Sequence, residues 1–292
     1  MNTKFVFVVI ALLLVATLAG AEPWKKTIDL GFTITQNSYS DNWVGGEVGN
    51  IGWISLANGI FEKQVSPKFN FRNNTNLQFG QTHSQNKDTK NWEKPVKSTD
   101  KIDFDNLGRF TLNAFVDPFV AFRLQSQFLD GSYGPKDRLF NPILLTESAG
   151  IAKSLLNRDK NQVISRIGFS LRENLDRAIE DTVTNSTKYK TNTDGGLEFV
   201  TDATYQLTKN LNYVGKMTLF KAMFFSKADD FKGTPEENYW KAVDVNWENT
   251  FAASVSKYIS VNLYTQLLYD KQISLKGRFK ENFGLGFTYK LQ

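Results

Sequence analysis

The sequence predicts an all-β fold: a transmembrane antiparallel up-and-down β-barrel of about 12 strands. Three observations predict it. Past the first 21 residues no apolar run approaches the ~20 residues that a membrane-spanning helix needs. Apolar and polar residues instead alternate with period two over stretches of roughly ten residues, enough for a tilted strand to cross a bilayer. Short and long connections also take turns along the chain, the rhythm of a barrel with short periplasmic turns and long extracellular loops.

The opening segment reads as an export signal. Lys4 supplies a positive start, residues 5–19 form an uncharged apolar run, and Ala19-Gly20-Ala21 is a small-x-small cleavage site. The expected organisation is a signal peptide over residues 1–21 and an outer-membrane β-barrel domain over 22–292. No Cys follows the apolar run, so no lipid-attachment site is present.

The strands follow in order. The first mature segment sets Ile28, Leu30, Phe32 and Ile34 against Thr27, Asp29, Gly31 and Thr33. Similar apolar rows are Phe69, Phe71, Leu77, Phe79; Ile102, Phe104, Phe110, Leu112; and Val120, Phe122, Leu124, Phe128. Then come Val163, Ile167, Phe169, Leu171; Leu197, Phe199, Ala203, Tyr205; Val243, Val245, Trp247, Phe251, Ala253; and Val261, Leu263, Leu267, Tyr269. The last strand is the plainest, with Phe283, Leu285, Phe287, Tyr289 and Leu291 on one face and Asn282, Gly284, Gly286, Thr288 and Lys290 on the other. Segments 49–61, 142–155 and 211–224 complete the count. The middle one admits a helix as well, because Ile151 and Leu155 are four apart. Tight turns are expected at 63–67, 117–118, 157–161, 208–210 and 256–258. Longer polar loops are expected at 36–47, 82–100, 131–141, 173–195, 226–238 and 271–277. Within the loop at 173–195 and just before it, Leu171, Leu175, Ile179 and Val183 recur every four residues. That spacing admits a short amphipathic helix over or inside the barrel mouth.

Composition agrees with a folded, membrane-seated chain. The 292 residues are 41% hydrophobic and 14% aromatic, and 24 of them are Phe, which argues against disorder. A mean hydropathy of −0.36 is compatible with a membrane barrel, because only one face of each strand meets lipid. Trp24, Tyr213, Tyr258 and Tyr289 fall near one set of strand ends and Trp43, Tyr239 and Trp240 near the other, as interfacial aromatic belts do. With 35 basic against 30 acidic residues spread along the chain, no nucleic-acid patch stands out. The chain has no Cys and a single His, so no metal site and no cofactor is expected.

The faces opposite the apolar rows carry the candidate lumen-lining residues. The basic ones are Lys68, Arg72, Arg109, Arg123, Arg166, Arg172 and Lys216. The acidic ones are Asp103, Asp105, Glu198, Asp202, Asp244, Glu248 and Asp270. A strongly selective pore would show one sign dominating; here the signs balance. The charges either pair into a network that stiffens a narrow barrel or line a weakly selective water channel. For catalysis, the histidine His83 stands beside Ser84. Adjacent residues on an extended chain point opposite ways, so the pair is badly placed for proton transfer, and no catalytic residue is assigned. The loop at 82–100 carries Lys87, Lys90, Lys94 and Lys97 with Trp92, a surface suited to lipopolysaccharide phosphates.

Asn42-Trp43-Val44-Gly45-Gly46, soon after the first strand, resembles the Asn-Trp-x-Gly-Gly motif of an uncharacterised family of Gram-negative outer-membrane barrels. Phe140-Asn141-Pro142 before Leu145-Thr146 and the Gly-rich terminal strand are similar to that family too. The resemblance implies fold and compartment, with no reaction attached. Of the motif residues, Gly45 and Gly46 permit positive φ or close backbone approach, and Trp43 beside Asn42 suits an interface. Outer-membrane barrels tend to end on an aromatic residue used in assembly, whereas here Tyr289 is followed by Lys290-Leu291-Gln292.

The expected function is therefore a non-catalytic passive pore or envelope-structural protein in the outer membrane. Its expected partners are outer-membrane lipids, lipopolysaccharide and the barrel-assembly machinery. Two alternatives stand beside it: a membrane-embedded lipid hydrolase or acyltransferase using His83, and a soluble secreted β-sandwich that binds a ligand.

Overall fold

The computed structural model describes residues 23–40, 47–112, 114–158 and 160–291. The proposed signal peptide and the motif residues Asn42, Trp43, Gly45 and Gly46 lie outside the described residues. Period-two alternation becomes strand in every row, with Leu112 and Phe128 falling just past strand ends. The elements are β1 (Lys25–Asn37), β2 (Asn50–Ser66), β3 (Phe69–Ser84), β4 (Val96–Phe110), β5 (Asp117–Ser126), β6 (Leu129–Asp130) and β7 (Arg138–Leu139). They continue with β8 (Ile143–Arg158), β9 (Asn161–Asp181), β10 (Ser186–Gln206), β11 (Leu211–Phe225), β12 (Val243–Ser254), β13 (Ile259–Tyr269) and β14 (Arg278–Leu291). Strands β6 and β7 form a two-stranded hairpin, and the other twelve close one antiparallel barrel. Each barrel strand pairs with its neighbours in sequence order, β5 pairs β8 across the small hairpin, and β14 returns to β1 with Ile28 opposite Leu291. A closed ring excludes the β-sandwich alternative, whose two stacked sheets would each keep free edges.

Side chains from strands that are not neighbours can meet only through the interior, and such pairs identify the inner face. Arg166 on β9 bonds Asp105 on β4, and Lys101 on β4 bonds Glu248 on β12. Every second residue from these points inward as well; the alternate residues point out. The outward set is apolar and open: Phe283 is 69% exposed, Phe287 64% and Ile34 54%. The inward set holds buried charge: Asp105 is 3% exposed, Arg166 4% and Asp103 5%. This inverts the usual arrangement of a water-soluble protein.

Several expectations are corrected. The segment 142–155, counted as a strand with a helix as its alternative, is strand from Ile143 on, in β8; residues 173–195, expected as a loop, instead extend β9 and β10 into a long hairpin with a tight tip at 182–185. The reason is shared in both cases. Four is a multiple of two, so residues spaced by four lie on one face of a strand as well as of a helix. Asp117 and Pro118 open β5, and the described residues of the connection they were expected to form are 111–112 and 114–116. The outward row interrupted by Asn73 and Thr75 also has its account. Asn73 Nδ2 donates to Asn106 Oδ1 across β3 and β4 at 2.9 Å, and Thr75 Oγ1 donates to Asn73 Oδ1 at 2.9 Å. These outward polar groups satisfy one another.

The tight turns, including Pro67-Lys68 and residues 207–210, gather at one end of the ring. The other end is built up. Strands β9 and β10 run 21 residues each, well past the 9–11 that cross a bilayer. The β6–β7 hairpin is clamped against this extension. Arg138 Nη2 reaches Asp130 at 2.7 Å, and Asn141 Nδ2 bridges Asp130 at 2.8 Å and Asp176 at 2.9 Å. Burial alone would raise the Asp130 carboxyl. Hydrogen bonds from Asn141 and Ser132, with the Arg138 charge, outweigh it and hold the group below the ordinary carboxylate value.

Candidate functional site

The chemistry of this barrel sits on its inner face, in one layer at mid-height. The guanidinium of Arg123 on β5 grips Asp103 on β4 bidentately, with Nε–Oδ1 2.8 Å and Nη2–Oδ2 2.6 Å. Planar forks of this kind are among the stronger charge-assisted pairs. Asp105, two residues on, takes Arg166 Nη2 at 2.8 Å and Lys216 Nζ. Lys216 also lies 3.7 Å from Asp202. Lys101 Nζ bonds Glu248 and stands 3.6 Å from Asp103, and Tyr264 Oη donates to the same Glu248 oxygen at 3.0 Å. In the ring of twelve, β4 and β12 stand six places apart and so face each other. The Lys101–Glu248 pair therefore bridges the bore from wall to wall.

Toward the long-loop end a second group follows. Arg172 grips Asp194 at 2.7 and 2.6 Å and reaches Asp244 at 3.0 Å, with its guanidinium 3.6 Å above the Phe220 ring. Ser170 Oγ donates to Glu198 at 2.8 Å. At the opposite end Arg109 Nε lies 3.8 Å from Asp117, and Arg72 lies 3.8 Å from Glu62 while bonding Asn74 and Gln162.

Twelve of the fourteen residues singled out from the sequence thus occur on the inward face of a strand. The other two do not. Lys68 is exposed in the β2–β3 turn. Asp270 lies just past the end of β13, where its carboxylate accepts the Gln272 backbone N–H at 2.8 Å. Both sit one or two residues beyond a strand end, where alternation no longer fixes direction.

Sequence reasoning missed other members. Lys101, Asp117 and Asp194 share the inward parity of candidates on their own strands, so alternation alone points to them; Glu62 lies opposite Arg72 on β2, a strand with no candidate. Lys280, on β14, also turns inward and donates to Thr99 at 2.7 Å. The buried apolar residues inside the barrel gave no such signal. Leu107, Phe119 and Ala152 pack together on the inner faces of β4, β5 and β8, and Val200 and Phe220 are buried on β10 and β11. The interior is therefore dry and packed along β4, β5 and β8 to β10.

Along the opposite wall it is not filled. A cavity of about 250 Å³ lies between β1–β3 and β11–β14. The Lys101–Glu248 layer roofs it, and Thr27, Thr204 and Ser254 line it toward the tight-turn end.

His83 stands near the long-loop end of β3, opposite Ile51 of β2. Ser84 Oγ accepts from Asn50 Nδ2 at 2.8 Å. Among the described residues no cluster of His, Asp and Glu could hold a metal ion.

Residues 34–132 match a family described as protein of unknown function (DUF3078). No curated protein matches the sequence. Among solved structures, the chain is similar to an outer membrane channel from Pseudomonas putida F1, at 11% identity and a TM-score of 0.40, covering 94% of this chain and 98% of that one. It is also similar to the translocator domain of the autotransporter NalP from Neisseria meningitidis, at 8% identity and a TM-score of 0.38, covering 97% of this chain and 94% of that one.

Proposed function

We propose that this chain is a non-catalytic, integral outer-membrane β-barrel whose bore is closed at mid-height by ion pairs, so that it serves the envelope without conducting as an open porin. The membrane reading rests on the inversion of its two faces. A ring with exposed Phe, Leu and Ile outside and buried Arg and Asp inside satisfies every strand edge and is solvated by acyl chains. The tight-turn end then faces the periplasm and the β9–β10 extension faces outward. In that orientation the loop at 85–95 presents Lys87 and Lys94 toward lipopolysaccharide phosphates, while Lys90 Nζ donates to Glu47 O at 3.3 Å. Lys97 is already held by Leu129 O and by Gln127 Oε1 at 2.6 Å.

The closed bore rests on one observation above the others, the Lys101–Glu248 bridge between opposite strands. A weakly selective open channel would leave such groups at separate walls.

Two measurements test the proposal. Membrane fractionation with heat-modifiable gel migration tests location and ring closure, and a chain recovered in the aqueous fraction sinks the membrane reading. In planar bilayers, the wild-type barrel is expected to show little or no ion current over many insertions, and the Lys101→Ala, Glu248→Ala double variant a measurable one. Porin-like conductance of the wild type refutes the closed bore.

A further inference from the structure

A ring whose side chains fill only one half of its interior leaves a second question, namely what occupies the other half. The unfilled half is shaped by small residues. Gly31 on β1 and Gly284 on β14 carry no side chain into it, and Leu56 occupies the space a Cβ at Gly31 would need.

The chemistry of the lining is mixed in a definite way. Strand β2 turns Ile54, Leu56 and Ile60 inward, an apolar row where a water channel would be polar. Facing and flanking that row are carboxamides, among them Asn58, Asn74 and Asn212. Asn58 Oδ1 is buried and accepts no hydrogen bond from any described residue, an arrangement that is costly unless something else supplies the donor.

The cations bordering the space are already matched. Arg72 lies against Glu62, Lys101 bonds Glu248 and Lys216 bonds Asp105. An anionic ligand would arrive without an unmatched cation to receive it and would lose its hydration. Carboxamides each offer donors and an acceptor, so they suit hydroxyl groups, which do the same. The aliphatic row suits a ligand's C–H face.

We propose that this cavity is a binding site, entered from the tight-turn end, for a neutral, hydroxyl-rich molecule of mono- to disaccharide size. The inference rests on the reading of a bore closed at mid-height, since the Lys101–Glu248 layer forms the end wall of the site. Asn58 supplies the unfilled acceptor, and Leu56 with Ile54 and Ile60 supplies the apolar wall.

The test is isothermal titration calorimetry on the full-length barrel in an amine-oxide detergent, which carries no sugar of its own, with sucrose, glucose and decanoate as probes. Sucrose or glucose is expected to give saturable binding. Asn58→Leu should weaken it at least tenfold, and Leu56→Trp, which fills the cavity, should abolish it. Asn58→Ala serves as the milder variant should either of these fail to fold, and heat-modifiable migration shows which variants have folded. A folded wild-type barrel that binds neither sugar overturns the proposal. So does sugar binding unchanged in the folded variants, or saturable binding of decanoate alone, which would assign the space to an amphiphile. Failure of the closed-bore reading shows separately, as wild-type ion current in planar bilayers.

Discussion

Replacing Asp105 with Asn tests whether the charge layer holds the barrel together. Asp105 is 3% exposed and takes Arg166 at 2.8 Å as well as Lys216. Two unit charges at 2.8 Å attract by roughly 6 kcal/mol at an effective dielectric of about 20, and desolvation of both groups offsets several kcal/mol of that. The net worth of the intact pair is therefore small. The substitution itself is not, because it takes from two buried cations their nearest anion and leaves Lys216 with Asp202 alone, at 3.7 Å. Removing one partner of a buried pair destabilises by about 3–5 kcal/mol. The assay is equilibrium urea unfolding of the barrel refolded into vesicles, followed by Trp fluorescence and by gel mobility. Glu180→Gln is the control, since the Lys188–Glu180 pair has similar geometry at 3.2 Å but lies exposed on the β9–β10 extension. Exposed pairs are worth roughly 0–1 kcal/mol. Lys216→Met added to Asp105→Asn should recover part of the loss by removing one stranded cation. If Asp105→Asn proves as mild as Glu180→Gln, the interior is wet, the charges are screened, and the reasoning fails.

Three further outcomes follow from the same geometry. Phe283→Arg places a cation on the outward apolar face and should destabilise the vesicle-refolded barrel by ~2–4 kcal/mol, with no such loss for an Arg at exposed Lys188 on the extension. Asn73→Leu and Asn106→Leu should each cost about 1–3 kcal/mol by stranding the partner amide, whereas the double variant should be near neutral, which a double-mutant cycle will read. The Asp130 carboxyl is held below its ordinary value of 3.8, so its stabilisation of the hairpin clamp is complete above that pH and is lost as pH falls through the lower, folded value. Pepsin cleavage within residues 131–137 should accordingly appear only in strong acid, and Asn141→Ala should bring it to higher pH.

Much of this architecture was legible because period two is a strong signal when one face meets lipid. The rows at Phe283, Leu285 and Phe287 and at Leu30 and Phe32 needed no tertiary information. The alternation of short and long connections located every tight turn within a few residues. Legibility failed at three kinds of place. A spacing of four could not tell strand from helix at Ile151 and Leu155 or along Leu171, Leu175 and Ile179. Direction was lost just past strand ends, at Lys68 and Asp270. Apolar residues on the inward face were also invisible as such. Phe119 and Phe220 sit beside Arg123 and Lys216 in parity, yet nothing local says that a lumen residue will be dry. That depends on which strands face each other, and pairing across a ring is not a property of any one segment.

The same cross-ring geometry explains why the interior is half packed and half empty. An eight-stranded barrel has a bore that side chains just fill. Twelve strands enclose more than neighbouring side chains can occupy, so the extra space is either left as a channel or spanned by long side chains. Here Arg166, Lys216 and Lys101 do the spanning, and each needs an anion on the far side, which fixes Asp105 and Glu248 on β4 and β12. Shorter Leu, Phe and Val fill in beneath the guanidinium groups on β4, β5 and β8 to β10, where Phe119 lies under Arg166 at 5.9 Å. Beside the cavity the inward positions of β1 and β14 are Thr27, Asp29, Gly31, Thr33, Asn282 and Gly284, too short to cross, and the space beneath the bridge stays open. Charge at mid-height and a cavity below it are thus two consequences of one constraint, the width of a twelve-stranded ring. Enlarging Leu56 on β2, which faces Gly31 of that short wall, is predicted to close the cavity without disturbing the bridge.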